Sequence, residues 1–242
     1  MYMNRLQSTL LALTVTITIS GCTTNEMGIA AGIDLLKAAT ISDAQVKAMA
    51  TQAAKEYDAK NQIAPAGNKY AERLKRITSN LKTPINLPLN FKVYLTDDIN
   101  AFAMANGTVR VYSGLMDLMN DQELMFVMGH EIGHVYFKHS KQAYRMAYAT
   151  QAARKGAASV GGTTGAIATG ALGGLAEKLV HAQFSQSDET QADGFGLKIL
   201  KLNGVDPHAA VSALEKLGGG NSSIFSSHPG SKERAEAIRR QI

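Results

Sequence analysis

Asn120-Asp121-Gln122-Glu123-Leu124-Met125-Phe126-Val127-Met128-Gly129-His130-Glu131-Ile132-Gly133-His134-Val135-Tyr136-Phe137 reads as one helix with a cap at its start and three polar side chains in an apolar body. Asn120 is an N-cap, and Glu123 three residues later completes a capping box. Residues four apart share a helix face, so His130 and His134 aim both imidazoles at one point. Two such nitrogens are what a metal ion takes from a helix. Glu131 is turned by about 100° and faces the water that such a metal activates rather than the metal itself. The apolar runs on either side predict a buried helix, where two histidines and a glutamate are costly unless engaged. The pattern predicts metal-assisted hydrolysis of a peptide bond: the ion polarises the carbonyl and acidifies a water, and Glu131 takes its proton.

A third ligand is needed. The metzincin pattern of Gly and His after the second histidine fails, because Phe137 and Ser140 stand there. His139 lies about 140° around a continued helix from His134 and is expected to face solvent or cap the helix end. The other common solution is a Glu on a later helix, and Glu189-Thr190-Gln191-Ala192-Asp193 supplies it. Glu189 completes a His₂Glu set. Asp193, one turn on, is placed to accept the free N–H of a ligating histidine and fix its tautomer. Read alone, Asp188 and Glu189 look like surface carboxylates; Glu177 is the next candidate. His181 and His208 are read as solvated or packed polar residues.

The chain has 242 residues, 45% apolar and 19% charged, which suits a domain with its own core. Its net charge of +5 is scattered and there is no Trp, so the balance argues for solubility and not for nucleic acid as a partner. The single cysteine forbids an internal disulfide. The first residues carry Arg5 and then the apolar run Leu10–Ile19, about half the length of a bilayer span. That is the pattern of a secretory signal. The run closes on Ile19-Ser20-Gly21-Cys22, which resembles a bacterial lipobox, so Cys22 is the expected lipidation site and first mature residue. Thr23 after it favours the outer membrane by resemblance to enterobacterial sorting. The expected division is 1–21 signal peptide, 22–64 anchor and helical segment, and 65–242 peptidase domain.

Residues 28–60 read as helical, with a helix start at Ser42-Asp43, and a second helix is predicted near 68–81. Residues 91–95 alternate as a strand. Asn106-Gly107 is a hairpin turn between strands predicted near 101–105 and 108–112. Everything after Gly114 reads as helix and loop, including a helix from Pro207 to Leu217 and a last one from Ser231. The fold class is α+β, mostly helical, with one small sheet. Residues 156–176 carry no charge but are rich in Gly, Ala and Thr, which favours a flap or closely packed helical pieces over a membrane span.

The His130–His134 motif, Glu189 through Asp193, Asn100-Ala101-Phe102-Ala103-Met104-Ala105-Asn106-Gly107, Ser113-Gly114-Leu115, and His228-Pro229 with Arg234 together resemble the HtpX-type and CaaX-protease-type zinc peptidase family. The resemblance runs from about residue 65 to the end. With the lipobox it points to the outer-membrane lipoprotein members, facing the periplasm. It implies a gluzincin-like domain with one zinc ion per chain and endopeptidase activity on misfolded or misassembled envelope proteins. It also implies links to outer-membrane assembly machinery or a related lipoprotein protease. Substrate is expected on the edge strand Ala101 to Asn106, where an extended peptide adds through main-chain hydrogen bonds. His228 is implied to lie near the zinc, as a fourth ligand that silences the enzyme or as an oxyanion stabiliser. Arg234 either holds that loop or donates to the oxyanion. The competing reading is a chaperone-like or assembly-factor lipoprotein that keeps the fold as a binding scaffold, but a scaffold has no use for Glu131.

Overall fold

The computed structural model describes residues 26–159, 184–218 and 223–242. The signal segment, Cys22, Glu177, His181 and residues 160–176 lie outside the described residues. Helices α1 (Glu26–Thr40) and α2 (Asp43–Lys60) are separated at Ser42, whose hydroxyl accepts from the Gln45 N–H while the Gln45 side chain accepts from the Ser42 N–H. Helix α3 (Lys69–Thr78) starts at the Asn68 cap. Strands β1 (Asn90–Tyr94), β2 (Ala101–Ala103) and β3 (Thr108–Tyr112) form a sheet in the order β1-β3-β2. Strand β1 runs parallel to β3, and β2 runs antiparallel to it. The predicted hairpin is present, but pairing in β2 stops at Ala103 and not at 105. The Gly107 N–H closes a turn onto the Met104 carbonyl at 2.9 Å, which takes those residues out of the ladder. Gly107 has φ +88°, and a Cβ there would meet the Pro88 carbonyl oxygen, so the turn requires glycine.

After β3 the described chain is helical: α4 (Ser113–Leu118), α5 (Asp121–Tyr136), α6 (His139–Ser159), α7 (Gln186–Leu202), α8 (His208–Leu217), α9 (Ser223–Ser227) and α10 (Ser231–Arg239). Helix α5 is the centre. Asn120 and Glu123 form its capping box, and Glu123, itself buried, also accepts from Ser212 and Lys216 and so fixes α5 to α8. One face of the sheet (Val93, Val111, Ala101) packs into a core with Leu124, Phe126 and Met128 of α5, Leu200 of α7, Leu214 of α8 and Ile238 of α10. The other face carries Tyr94, Phe102 and Tyr112 against Ala50, Ala53 and Ala54 of α2. Arg110, on that second face, is buried and paired with Asp58 of α2, which also accepts from Lys92 and Tyr94.

Helices α5 and α7 touch through small residues. A Cβ on Gly133 would lie 3.0 Å from the Phe195 Cβ and 3.1 Å from the Ala192 Cα. Gly129 faces Ile199 and Gly196 in the same way, and Gly196 faces Phe126. These glycines permit the backbones to approach closely enough for short carboxylates on α7 to reach the histidines of α5.

Candidate metal centre

His130, Glu131 and His134 come from the C-terminal half of α5 and are all buried. Glu189 and Asp193 come from the first turns of α7, whose start is set by a Ser185–Asp188 capping box. The surface reading of Glu189 is thereby replaced: it is buried against α5. His228 follows α9, and Arg234 is on α10. His130 Nε2 lies 3.0 Å from His134 Nε2 and 3.2 Å from His228 Nδ1. Glu189 Oε1 lies 3.0 Å from His228 Nδ1 and 3.4 Å from His134 Nε2, and Glu189 Oε2 lies 3.5 Å from His130 Nε2.

The protons of this cluster can be placed. His130 Nδ1 stands 2.9 Å from Asp193 Oδ1, an acceptor, so Nδ1 carries the hydrogen and Nε2 presents a lone pair. His134 Nδ1 stands 2.9 Å from His139 Nδ1, and His139 Nε2 faces Asp188 Oδ1 at 3.3 Å. His139 Nε2 makes no aligned hydrogen bond, but with its hydrogen on that side facing the carboxylate its Nδ1 accepts from His134, and His134 Nε2 is then also bare. Two imidazole lone pairs and a carboxylate therefore converge with no proton between the first pair. Glu131 Oε1 and Glu189 Oε2 are buried without an aligned hydrogen-bond donor, although Arg234 Nη1 lies 2.5 Å from the latter. A cation resolves this convergence. Bonds of ~2.0–2.1 Å in tetrahedral geometry space ligand atoms by about 3.3 Å, which is the spacing found. Among the described residues, His130, His134, Glu189 and His228 form the group able to hold a metal.

The titrations agree with this donor set. Burial drives His134 well below the ordinary imidazole value, so it stays neutral as a ligand must. Burial would raise Glu189, but the imidazoles of His134, His228 and His130 beside it hold it far below the carboxylate range. Burial raises Glu131, against the pull of His228 and His130, which makes it the one basic carboxylate of the cluster. Asp193 is held low: burial is outweighed by Arg234 and His130. Arg234 is bidentate on Asp193, with Nε at 2.7 Å from Oδ2 and Nη2 at 2.5 Å from Oδ1. Two of its five N–H donors thus go to Asp193, and Nη1 lies beside Glu189, so the guanidinium ties both carboxylates of α7 to α10.

His139 is where sequence reasoning failed. It is 1% exposed, neither in solvent nor a mere helix end, and it touches a ligating histidine. Helix α5 ends at Tyr136, and Lys138 takes a left-handed φ of +61°, which reverses the chain and returns His139 beneath His134. An angle counted along an unbroken helix could not show this. Position His208 is exposed beside Asp206. The free edge of β2 looks onto the centre: Phe102, Ala103, Met104 and Ala105 share a cavity with Glu131, His134 and His228, roofed by Ala50, Ala53, Tyr144 and Phe184.

A helical fold with a buried His-Glu-His helix, a carboxylate from a later helix and an edge strand alongside defines a metalloendopeptidase. The profile of Peptidase family M48 matches residues 68–242, and the chain belongs to that family. It is 44% identical to Metalloprotease LoiP of Escherichia coli (strain K12), over 97% of this chain and 96% of that protein. It is 45% identical to Metalloprotease YcaL of the same organism, over 92% of this chain and 89% of that one. Similarity to the Beta-barrel assembly-enhancing protease of Escherichia coli (strain K12) is 34% over 55% of this chain and 29% of that protein.

Proposed function

We propose that this metalloendopeptidase is a zinc enzyme of the bacterial envelope, held to the outer membrane through Cys22 and facing the periplasm, where it cleaves misfolded or misassembled proteins. The donor chemistry supports zinc: two neutral imidazoles and one carboxylate is a common set for the catalytic ion. When bound by His130, His134 and Glu189, zinc supplies a Lewis acid for the scissile carbonyl and for water. The chain's own part is as follows. Glu131, its proton affinity raised by burial, takes a proton from the attacking water and passes it to the leaving amine. Asp193 keeps the hydrogen of His130 on Nδ1, and Arg234 holds Asp193 and Glu189 in place. The free edge of β2 pairs with the substrate backbone, giving broad sequence tolerance.

His228 supports a resting form. Its Nδ1 joins the ligand group and its Nε2 stands 3.3 Å from Glu131 Oε1, so one ring occupies both the water's place and the base's approach. A substrate carbonyl that approaches the ligand group from β2 meets His228 first, so its entry goes with displacement of that ring. The name of the β-barrel assembly-enhancing relative supports outer-membrane assembly as the setting for such control.

The observation that carries the function is Glu131, a basic buried carboxylate beside a metal-ready cluster. Glu131→Gln is expected to retain zinc, measured by metal content, and to lose casein degradation by at least ~10²-fold, the lower end for general acid–base catalysis. Loss of zinc with turnover kept, or an unchanged rate, would refute the assignment, and a wild-type protein that binds zinc but degrades no casein would favour the scaffold reading.

A further inference from the structure

Helix α1 presents its apolar side to solvent. Ile29, Ile33 and Leu36 are 60%, 49% and 63% exposed, and Leu35 beside them is 59% exposed. Half of the large apolar side chains exposed among the described residues therefore lie on this one helix. Positions 29, 33 and 36 follow helical spacing and form a single stripe. One charged side chain of the helix is turned inward. Asp34 is buried, 2.6 Å from Lys155 of α6, and Lys37 lies over the Tyr148 ring. Arg145 of α6 donates to the Ala39 carbonyl at 3.2 Å, so α1 and α6 run antiparallel as a two-helix arm. A usual surface helix buries its apolar stripe, whereas α1 leaves its large apolar residues in solvent beside the exposed Lys37. An exposed stripe of this kind marks a contact surface.

The position of α1 in the chain identifies the contact. Glu26 begins the helix four residues after Cys22. Four residues reach at most about 14 Å, so a lipid on Cys22 keeps the start of α1, a helix about 22 Å long, within that distance of the bilayer surface. We propose that α1 is an interfacial helix, with Ile29, Ile33 and Leu36 entering the acyl boundary of the membrane to which Cys22 is anchored. This rests on the reading of Cys22 as the lipidation site. One lipidated residue fixes position but leaves the body free to swivel; a helix lying in the interface fixes its orientation as well. The arm then presents the β2 edge and its roof at a set attitude to the membrane, because α6 continues from His139 at the metal centre to Lys155 beside α1.

The chain contains no Trp, so a single introduced one reports without background. Ile33→Trp and Leu36→Trp, made in the full chain and purified from membranes, are reconstituted into vesicles of phosphatidylethanolamine and phosphatidylglycerol carrying brominated acyl chains. Both are expected to emit to the blue of a solvated indole and to be quenched at least about twofold. Leu202→Trp, at an exposed apolar position on α7, is expected to stay water-like. Unquenched, water-like emission from Ile33→Trp in vesicles overturns the proposal. So does a blue shift that appears without vesicles and grows with protein concentration, which would make a second copy the occupant. The intact mass of the same sample reads Cys22 separately. Quenching with Cys22 unmodified supports the helix and sinks the anchor; modified Cys22 without quenching sinks the helix alone.

Discussion

Gly133→Ala adds one methyl group between the two helices that build the metal centre. That carbon would stand 3.0 Å from the Phe195 Cβ, 3.1 Å from the Ala192 Cα and 3.2 Å from the Ala192 carbonyl oxygen. Two of these three are backbone atoms and cannot turn aside. Ordinary contact is restored only if α7 moves outward by about 0.4 Å. Glu189 lies one turn before Ala192 on that helix and moves with it. Overpacking of this kind costs about 1–3 kcal/mol, and the better helix propensity of Ala returns ~0.5–1 kcal/mol. A net loss of about 1–2 kcal/mol is expected in urea unfolding of the metal-free protein. Zinc affinity, read by competition with a chromophoric chelator, should fall about 10–100-fold, the range seen when the support of a ligand is disturbed. Gly194→Ala is the matched control, since nothing lies within 4 Å of its added carbon. It should stabilise the protein by ~0.5–1 kcal/mol and leave zinc binding alone. If Gly133→Ala behaved like Gly194→Ala, close helix approach would not be what sets the ligand geometry.

His139→Leu should weaken zinc about 10–100-fold by leaving His134 Nδ1–H without its acceptor, while His139→Asn, whose oxygen replaces Nδ1, should stay near wild type; equal affinity in all three would remove the histidine from the centre. Glu189→Ala should bind zinc far more weakly than Asp193→Ala, and the reverse order in metal-content measurements would move the third ligand elsewhere. Burial alone would raise Asp58, but hydrogen bonds from Arg110, Lys92 and Tyr94 hold it well below its ordinary 3.8. A carboxyl depressed in the folded state stabilises fully above its unfolded value and loses that contribution as pH falls through the folded one. Asp58→Asn should therefore cost about 3 kcal/mol near pH 7, because Arg110 stays buried without its counter-charge, and should flatten the acid limb of stability against pH. An acid limb as steep as that of wild type would show that Asp58 does not carry it.

What local chemistry specifies was legible in advance. The caps at Ser42, Asn68 and Asn120 and the Asn106-Gly107 turn are settled by neighbouring residues: each cap starts a helix where one was expected, and the turn leads into β3 as expected though β2 ends two residues early. Four-residue spacing placed His130 with His134, and Glu189 with Asp193. What depended on a distant partner was not legible. Strand β1 pairs parallel with β3, which requires the chain between them to cross over, and no motif in either strand announces it. The Asp58–Arg110 pair joins a helix to a sheet 52 positions later. His139 was missed because the left-handed turn at Lys138 lies in a residue type that seldom adopts it.

Arg234 has a consequence in time as well as in space. It sits in α10, the last helix of the chain, and it grips Asp193 and Glu189. A polypeptide that emerges from its amino end can form α5 and α7 and bring the histidines and Glu189 together. Until α10 arrives, two buried carboxylates lack their guanidinium and His228 is only just reaching the ring of ligands. The order of synthesis thus completes the cutting centre only after α10 has emerged. A chain caught partway, or clipped before Ser231, lacks the piece that locks its own blade.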